Sequence, residues 1–254
     1  MAIQKTEAIV LRTQPFRSSS LIVTFFTKSF GKLKGIAKGV RREREMRGAL
    51  YELFTHLEIV FYEKTRSDLH LISEAAIMDS HDALRTKLDT VAYASYFSEM
   101  VDRLTEVHDH HDGIFELLDF TFRFLSSVPA EKLARLFEVK LLREIGWLPL
   151  LDGCFQCQTS AFEKGFFSIR QGAIFCPNCA REFPDAKPMS PEALSVFRYY
   201  ADHPLELALK QRMSPSASAE LGRVIDHFLQ YRLSFPLNSR RFLESIATVL
   251  HPSR

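Results

Sequence analysis

The 254-residue chain is 46% hydrophobic, 12% aromatic and 25% charged, which is the make-up of a folded globular protein and excludes a disordered or collagen-like one. No apolar run approaches the roughly 20 residues needed to cross a bilayer, and the opening Met1-Ala2-Ile3-Gln4-Lys5-Thr6-Glu7 lacks the basic-then-apolar layout of a secretion signal. A cytoplasmic setting is therefore expected, in which thiols stay reduced. The formal charge of +2 conceals a segregated pattern: residues 1–66 carry net +7, residues 67–150 net −7 and residues 151–254 net +2. A basic head on an acidic middle points to a polyanion at one end of the chain.

The first 80 residues read as β-structure. Ala8–Leu11 and Leu21–Phe26 are short β-branched and aromatic runs, parted by Gln14-Pro15 and Ser18-Ser19-Ser20. Gly31, Gly35 and Gly39 recur every four residues and fit a bent strand or hairpin. Phe54 to Tyr62 alternates in part, and Leu69, Leu71 and Ile72 follow a polar break. Five or six short strands in about 75 residues suit a small closed barrel of the OB type. From Ser80 the period turns helical. Leu84, Leu88, Val91 and Ala92 share one face, Ile114 to Leu125 forms a Phe-rich second helix, and Leu133, Leu136, Phe137, Leu141 and Ile145 stripe a third. Ser190-Pro191-Glu192 opens another with an N-cap and a proline in the first turn. Leu221, Val224, Ile225 and Phe228 line a further helix, and Phe242 to Leu250 a last one. The expected fold class is α+β, with an OB-type barrel over residues 1–79 and a helical domain over residues 80–254. That domain carries an insert at about 151–184.

The insert holds the sharpest motif. Cys154-x-x-Cys157 and Cys176-x-x-Cys179 each place two sulfurs on one backbone knuckle, and two knuckles complete a tetrahedron around zinc. Their separation lies within the range of four-cysteine sites. Gly165–Ile169 and Ala173–Phe175 form a hairpin between them, turning at Arg170-Gln171-Gly172. All four cysteines are consumed, so a structural Zn2+ is expected rather than a catalytic one with an open position. Two disulfides or four unliganded thiols are the competing readings.

Residues 28–47 carry the second signal: Lys28, Lys32, Lys34, Lys38, Arg41, Arg42, Arg44 and Arg47 against Glu43 and Glu45, net +6 in twenty positions. Such crowding is costly without a polyanion to answer it, and cations beside aromatic rings are the ingredients of single-strand binding. Phe25, Phe26 and Phe30 are expected in the core rather than on that surface. The run Glu106-Val107-His108-Asp109-His110-His111-Asp112 contains metal-ligand types but reads as a polar loop between helices, and it is assigned no role. No phosphate loop, GxGxxG, GxSxG or HExxH occurs. No catalytic centre is therefore expected.

The order of a basic barrel, a helical body and a cysteine pair inserted after Leu141-Leu142-Arg143-Glu144-Ile145-Gly146-Trp147-Leu148-Pro149 resembles RecO, a bacterial family of DNA-repair recombination mediators. Glu7-Ala8-Ile9-Val10-Leu11-Arg12, Phe26–Lys32 and Ala37-Lys38-Gly39-Val40-Arg41-Arg42 carry the likeness as well. The stretch Arg17-Ser18-Ser19-Ser20 departs from it, since an acidic residue is expected there. The resemblance implies an N-terminal barrel that binds single- and double-stranded DNA, and annealing of complementary strands coated with single-stranded-DNA-binding protein (SSB). It also implies a partner, RecR, with which SSB is exchanged for the recombinase RecA, and no nucleotide hydrolysis. Beside it stand an RNA-binding or ribosome-associated zinc protein and a zinc-dependent enzyme, which the use of all four cysteines disfavours. The acidic middle suggests docking of a basic partner, or shielding of the barrel from non-specific DNA.

Overall fold

The computed structural model describes residues 2–40, 49–64 and 67–250, apart from the side chains at 49 and 247–250. Five strands close a barrel in the order β1-β2-β3-β5-β4. They are β1 (Ile3–Phe16), β2 (Ser20–Thr27), β3 (Gly31–Ala37), β4 (His56–Tyr62) and β5 (Leu69–Asp79). Strand β1 is long enough to serve two neighbours. Its first half pairs with β4 and its second with β2, and the register shifts between Val10 and Arg12 as the strand bends round the barrel. Parallel pairing of β3 with β5, at Lys34–Ala37 against Leu69–Ile72, closes the ring. Alternate residues Val23, Phe25, Leu33, Ala37, Leu57, Ile59 and Phe61 point inward and form the core. This is the OB-type architecture that the strand spacing predicts.

The chain divides into two compact units, Met1–Ala130 with Leu237–Arg254, and Glu131–Pro236. The first therefore extends beyond the barrel. It adds α1 (Leu88–Leu104), α2 (Asp112–Phe124) and α7 (Asn238–Leu250). Of these, α1 and α2 pack on β1 from outside the barrel and α7 packs on α1; Phe26, which alternation turns away from the barrel core, is as fully buried as Phe25. The N-terminus of α7 is fixed by Glu99 of α1, whose carboxylate accepts hydrogen bonds from the backbone NH groups of Asn238 and Ser239 (3.1 and 2.7 Å). An anion at that position also answers the helix dipole.

The second unit contains α3 (Ala130–Glu144), the cysteine insert, α4 (Pro191–Asp202), α5 (Leu205–Lys210) and α6 (Pro215–Arg232). Ser190 and Ser214 cap α4 and α6, accepting from the NH groups of Ala193 and Ala217 at 3.2 Å each. Each capping serine is itself held by a glutamate of the other helix: Glu220 accepts from Ser190 N, and Glu192 from Ser214 N. The insert is a three-stranded sheet, β7-β6-β8, made of β6 (Gly165–Ser168), β7 (Ala173–Phe175) and β8 (Lys187–Met189). The sequence pattern predicts the β6–β7 hairpin. Strand β8, Lys-Pro-Met, is too short and too proline-bound to read in advance. Among the described residues no helix is long and apolar enough to cross a membrane.

Candidate nucleic-acid interface and metal centre

The four cysteine sulfurs lie within 4.8 Å of one another, and Cys157 Sγ stands 3.9 Å from Cys176 Sγ. Zinc–sulfur bonds of about 2.3 Å in a tetrahedron require sulfurs about 3.8 Å apart, so the donor set fits such an ion. Each knuckle is built by its backbone. The NH of Gln158 donates to the Cys154 carbonyl (2.7 Å) and that of Cys154 to the Thr159 carbonyl (2.8 Å), with Gln158 in the left-handed region at φ 60°. In the second knuckle the NH of Ala180 donates to the Cys176 carbonyl (3.0 Å). The first knuckle docks on the hairpin through Phe155 NH to the Ile174 carbonyl (2.9 Å). Phe175 packs against Phe183 with ring centres 4.1 Å apart and the planes tilted by 34°.

Electrostatics agree with the geometry. Burial raises the Cys154 thiol, but backbone NH groups of Cys157, Cys176 and Gln156 outweigh it and bring the group down to about 6. Burial, followed by hydrogen bonds that the Cys179 S–H donates to the other three sulfurs, pushes Cys179 up to about 12. Four sulfurs packed this closely cannot all ionise without a cation among them. They could bind a metal ion.

The basic run is split by the fold. Lys34 on β3 is half-buried and Lys38, just past its end, is exposed. Arg41, Arg42, Arg44 and Arg47 lie outside the described residues. Lys28 is half-exposed in the β2–β3 turn, with Nζ 3.2 Å from Glu7 and 3.7 Å from Glu116. A hydrogen bond and the charge of Glu7 hold its ammonium above the usual lysine range.

Lys32 corrects the expectation of a surface cation. It is only 7% exposed and lies on the outer barrel face beneath the end of α1. Its Nζ donates to the backbone carbonyls of Asp102 (2.5 Å) and Thr105 and sits 3.6 Å from the Asp102 carboxylate. Burial pushes its pKa down against the pull of Asp102. This ammonium satisfies the last carbonyls of a helix and is not available to a phosphate.

Phe25 and Phe26 are inside, as expected, and Phe30 packs edge-on against Phe61 at 5.3 Å. The histidine-rich run is more than a linker. Val107 forms a parallel bridge to Lys32, and the NH of His108 donates to the Lys32 carbonyl (3.0 Å), so the run lies along the start of β3, ahead of the residues that pair with β5. Gly31 permits this approach. It sits at φ 60°, and a Cβ there would lie 1.9 Å from the Asp109 carbonyl oxygen. Nothing in the local sequence advertised this docking, because its partner is a strand some 75 residues upstream.

Two family descriptions match the chain in tandem: Recombination protein O N terminal over residues 1–81 and Recombination protein O C terminal over residues 85–241. The chain belongs to the RecO family. It is 32% identical to the DNA repair protein RecO of Anaeromyxobacter sp. (strain K) over 248 residues, which cover 97% of this chain and 98% of that protein. The RecO of Roseiflexus sp. (strain RS-1) is 31% identical over 253 residues, covering 99% of this chain and 88% of that protein. That of Halalkalibacterium halodurans is 28% identical over 246 residues, or 96% of each. RecO membership places the chain in recombinational DNA repair and agrees with a barrel whose basic run leaves β3 at Lys38.

Proposed function

We propose that this protein is a non-catalytic DNA-binding mediator that anneals complementary single strands and helps load RecA onto SSB-coated single-stranded DNA, together with RecR. The observation that carries this reading is the tandem family match over nearly the whole chain, on a barrel whose β3 is followed in sequence by five cations within ten residues, Lys38 to Arg47. Residues 1–79 are the DNA-binding domain, open to single and double strands. Lys34, Lys38, Arg41 and Arg42 contact phosphates, with Lys28, Arg44 and Arg47 in support. Cations that cover the phosphates of two strands lower their mutual repulsion and release condensed counterions, which lets bases pair. Cys154, Cys157, Cys176 and Cys179 hold a structural Zn2+, whose role is to fix the insert. The protein works in the cytoplasm, at the nucleoid.

The test is a titration of labelled single-stranded DNA across a salt series, followed by addition of the complement. Binding that weakens steeply with salt, and accelerated pairing, are expected. The triple variant Lys38→Glu, Arg41→Glu, Arg42→Glu weakens binding by about tenfold or more while remaining folded. Absence of binding at low salt overturns the reading. Unchanged affinity in the folded triple variant overturns the site.

A further inference from the structure

Between Glu7 and Glu43 the chain carries eight lysines and arginines and no acidic residue. Two of them, Arg12 and Arg17, lie upstream of the basic run, on β1 and on the turn that joins it to β2. The register of the barrel sets them beside that run. Arg12 pairs with Thr24, and Thr24 with Lys34, so Arg12 and Lys34 share the outer face with one strand between them, about 10 Å apart. Four residues further along the same face of β1 comes Phe16, opposite Ser20. Leu21 pairs with Ala37, which brings the turn at Phe16–Ser20 alongside the end of β3 at Lys38.

Arg17 opens this turn in the left-handed region at φ 54°, and its guanidinium lies over the Phe16 ring, 5.3 Å from the centre. Phe16 is half-buried, and Gln14, Pro15 and Arg17 are exposed. The Arg12 side chain is 50% exposed, and its Nε stands 3.9 Å from the Asp102 carboxylate, a surface pair too long to hold it firmly. A single strand has phosphates that need cations and unpaired bases that stack on aromatic rings and guanidinium planes. This face offers both. A duplex presents the same phosphates but keeps its bases stacked on one another.

We infer that the outer face of β1 and its turn extend the DNA-binding surface to a single strand: the Phe16–Arg17 pair stacks an unpaired base, and Arg12 takes a phosphate. The inference rests on the proposed DNA-binding role of the barrel. It assigns to this turn the discrimination between an open strand and a duplex, which annealing needs, because a surface that holds unpaired bases releases them as they pair.

Phe16→Leu, Arg17→Gln, Arg12→Gln and Lys38→Glu are compared with the parent protein by titration of a labelled single strand and of a duplex of the same length, each over a salt series. Circular dichroism establishes folding. Phe16→Leu keeps an apolar side chain and removes the ring. It weakens single-strand binding by about fivefold or more, with the slope of log K against log salt and the duplex affinity unchanged. Arg12→Gln weakens single-strand binding with a slope shallower by about 0.7. Parental single-strand affinity in Phe16→Leu, or an equal loss on the duplex, overturns the stacking role, and an unchanged slope in Arg12→Gln overturns the phosphate contact. If Phe16→Leu does not fold, Arg17→Gln is read in its place: it weakens single-strand binding more than duplex binding, and an equal effect on the two refutes the inference. A weakened Lys38→Glu beside parental Phe16→Leu and Arg12→Gln rejects this extension alone. If Lys38→Glu is parental as well, it is the DNA-binding reading of the barrel that fails.

Discussion

Replacing Lys32 by methionine separates a structural cation from a binding one. Methionine keeps most of the volume and deletes only Nζ, which serves the Asp102 and Thr105 carbonyls and the Asp102 carboxylate. Breaking one partner out of a buried ion pair costs about 3–5 kcal/mol. The Asp102 side chain retains 18% of its exposure, so water compensates in part and the low end, about 3 kcal/mol, applies. For a unit of about 150 residues each kcal/mol corresponds to about 2–4 °C in melting temperature. The expected drop is therefore about 6–12 °C, read by thermal unfolding followed by circular dichroism. The double variant Lys32→Met, Asp102→Leu recovers only part of it, because the two carbonyls stay unpaired. At a temperature where both proteins are folded, the salt slope of DNA binding is unchanged. A variant that melts like the parent and shows a shallower slope refutes the burial argument and returns Lys32 to the DNA surface.

Cys157→Ser lowers the metal content measured on protein purified without chelator, and destabilises the second unit; metal-free parent protein refutes the zinc assignment outright. In the same unit, Gly222→Ala costs about 2–3 kcal/mol by urea denaturation. A Cβ there would lie 2.1 Å from Arg135 Nη1, whose guanidinium is held in the interior by Glu138 at 3.1 Å, and wild-type stability denies that close contact. Burial holds His56, His70 and His81 below the ordinary imidazole range in the folded state. The unfolded chain binds those protons first, so stability is complete above about pH 6.5 and falls as the pH drops below it. A denaturation midpoint that stays flat from pH 7.5 to 5.5 contradicts this.

Much of the barrel was legible because strand alternation and turn chemistry are local properties. The inward set from Val23 to Phe61 follows from a period of two, and the cysteine knuckles from spacing alone. What escaped was decided by partners distant in sequence. Lys32 and Lys34 share the outer face of β3, yet one lies under the end of α1 and the other beside solvent. No pattern within residues 28–47 distinguishes them. The histidine-rich run looked like an ordinary loop because its binding surface is the edge of β3. The capping Ser190 was readable from Ser-Pro-Glu, but the glutamate that holds it, and the matching cap and glutamate at Ser214, were not.

Those glutamates have a consequence for how the second unit comes apart. The first turn of α4 is completed by a carboxylate from α6, and the first turn of α6 by one from α4. Neither end can fray without withdrawing an acceptor from the other, since unwinding α4 from its start carries Glu192 away from Ser214, and unwinding α6 carries Glu220 away from Ser190. The two helices therefore open and close as one cooperative element. Because the cysteine insert feeds directly into Ser190, anything that slackens the insert reaches α6 through the same pair of caps.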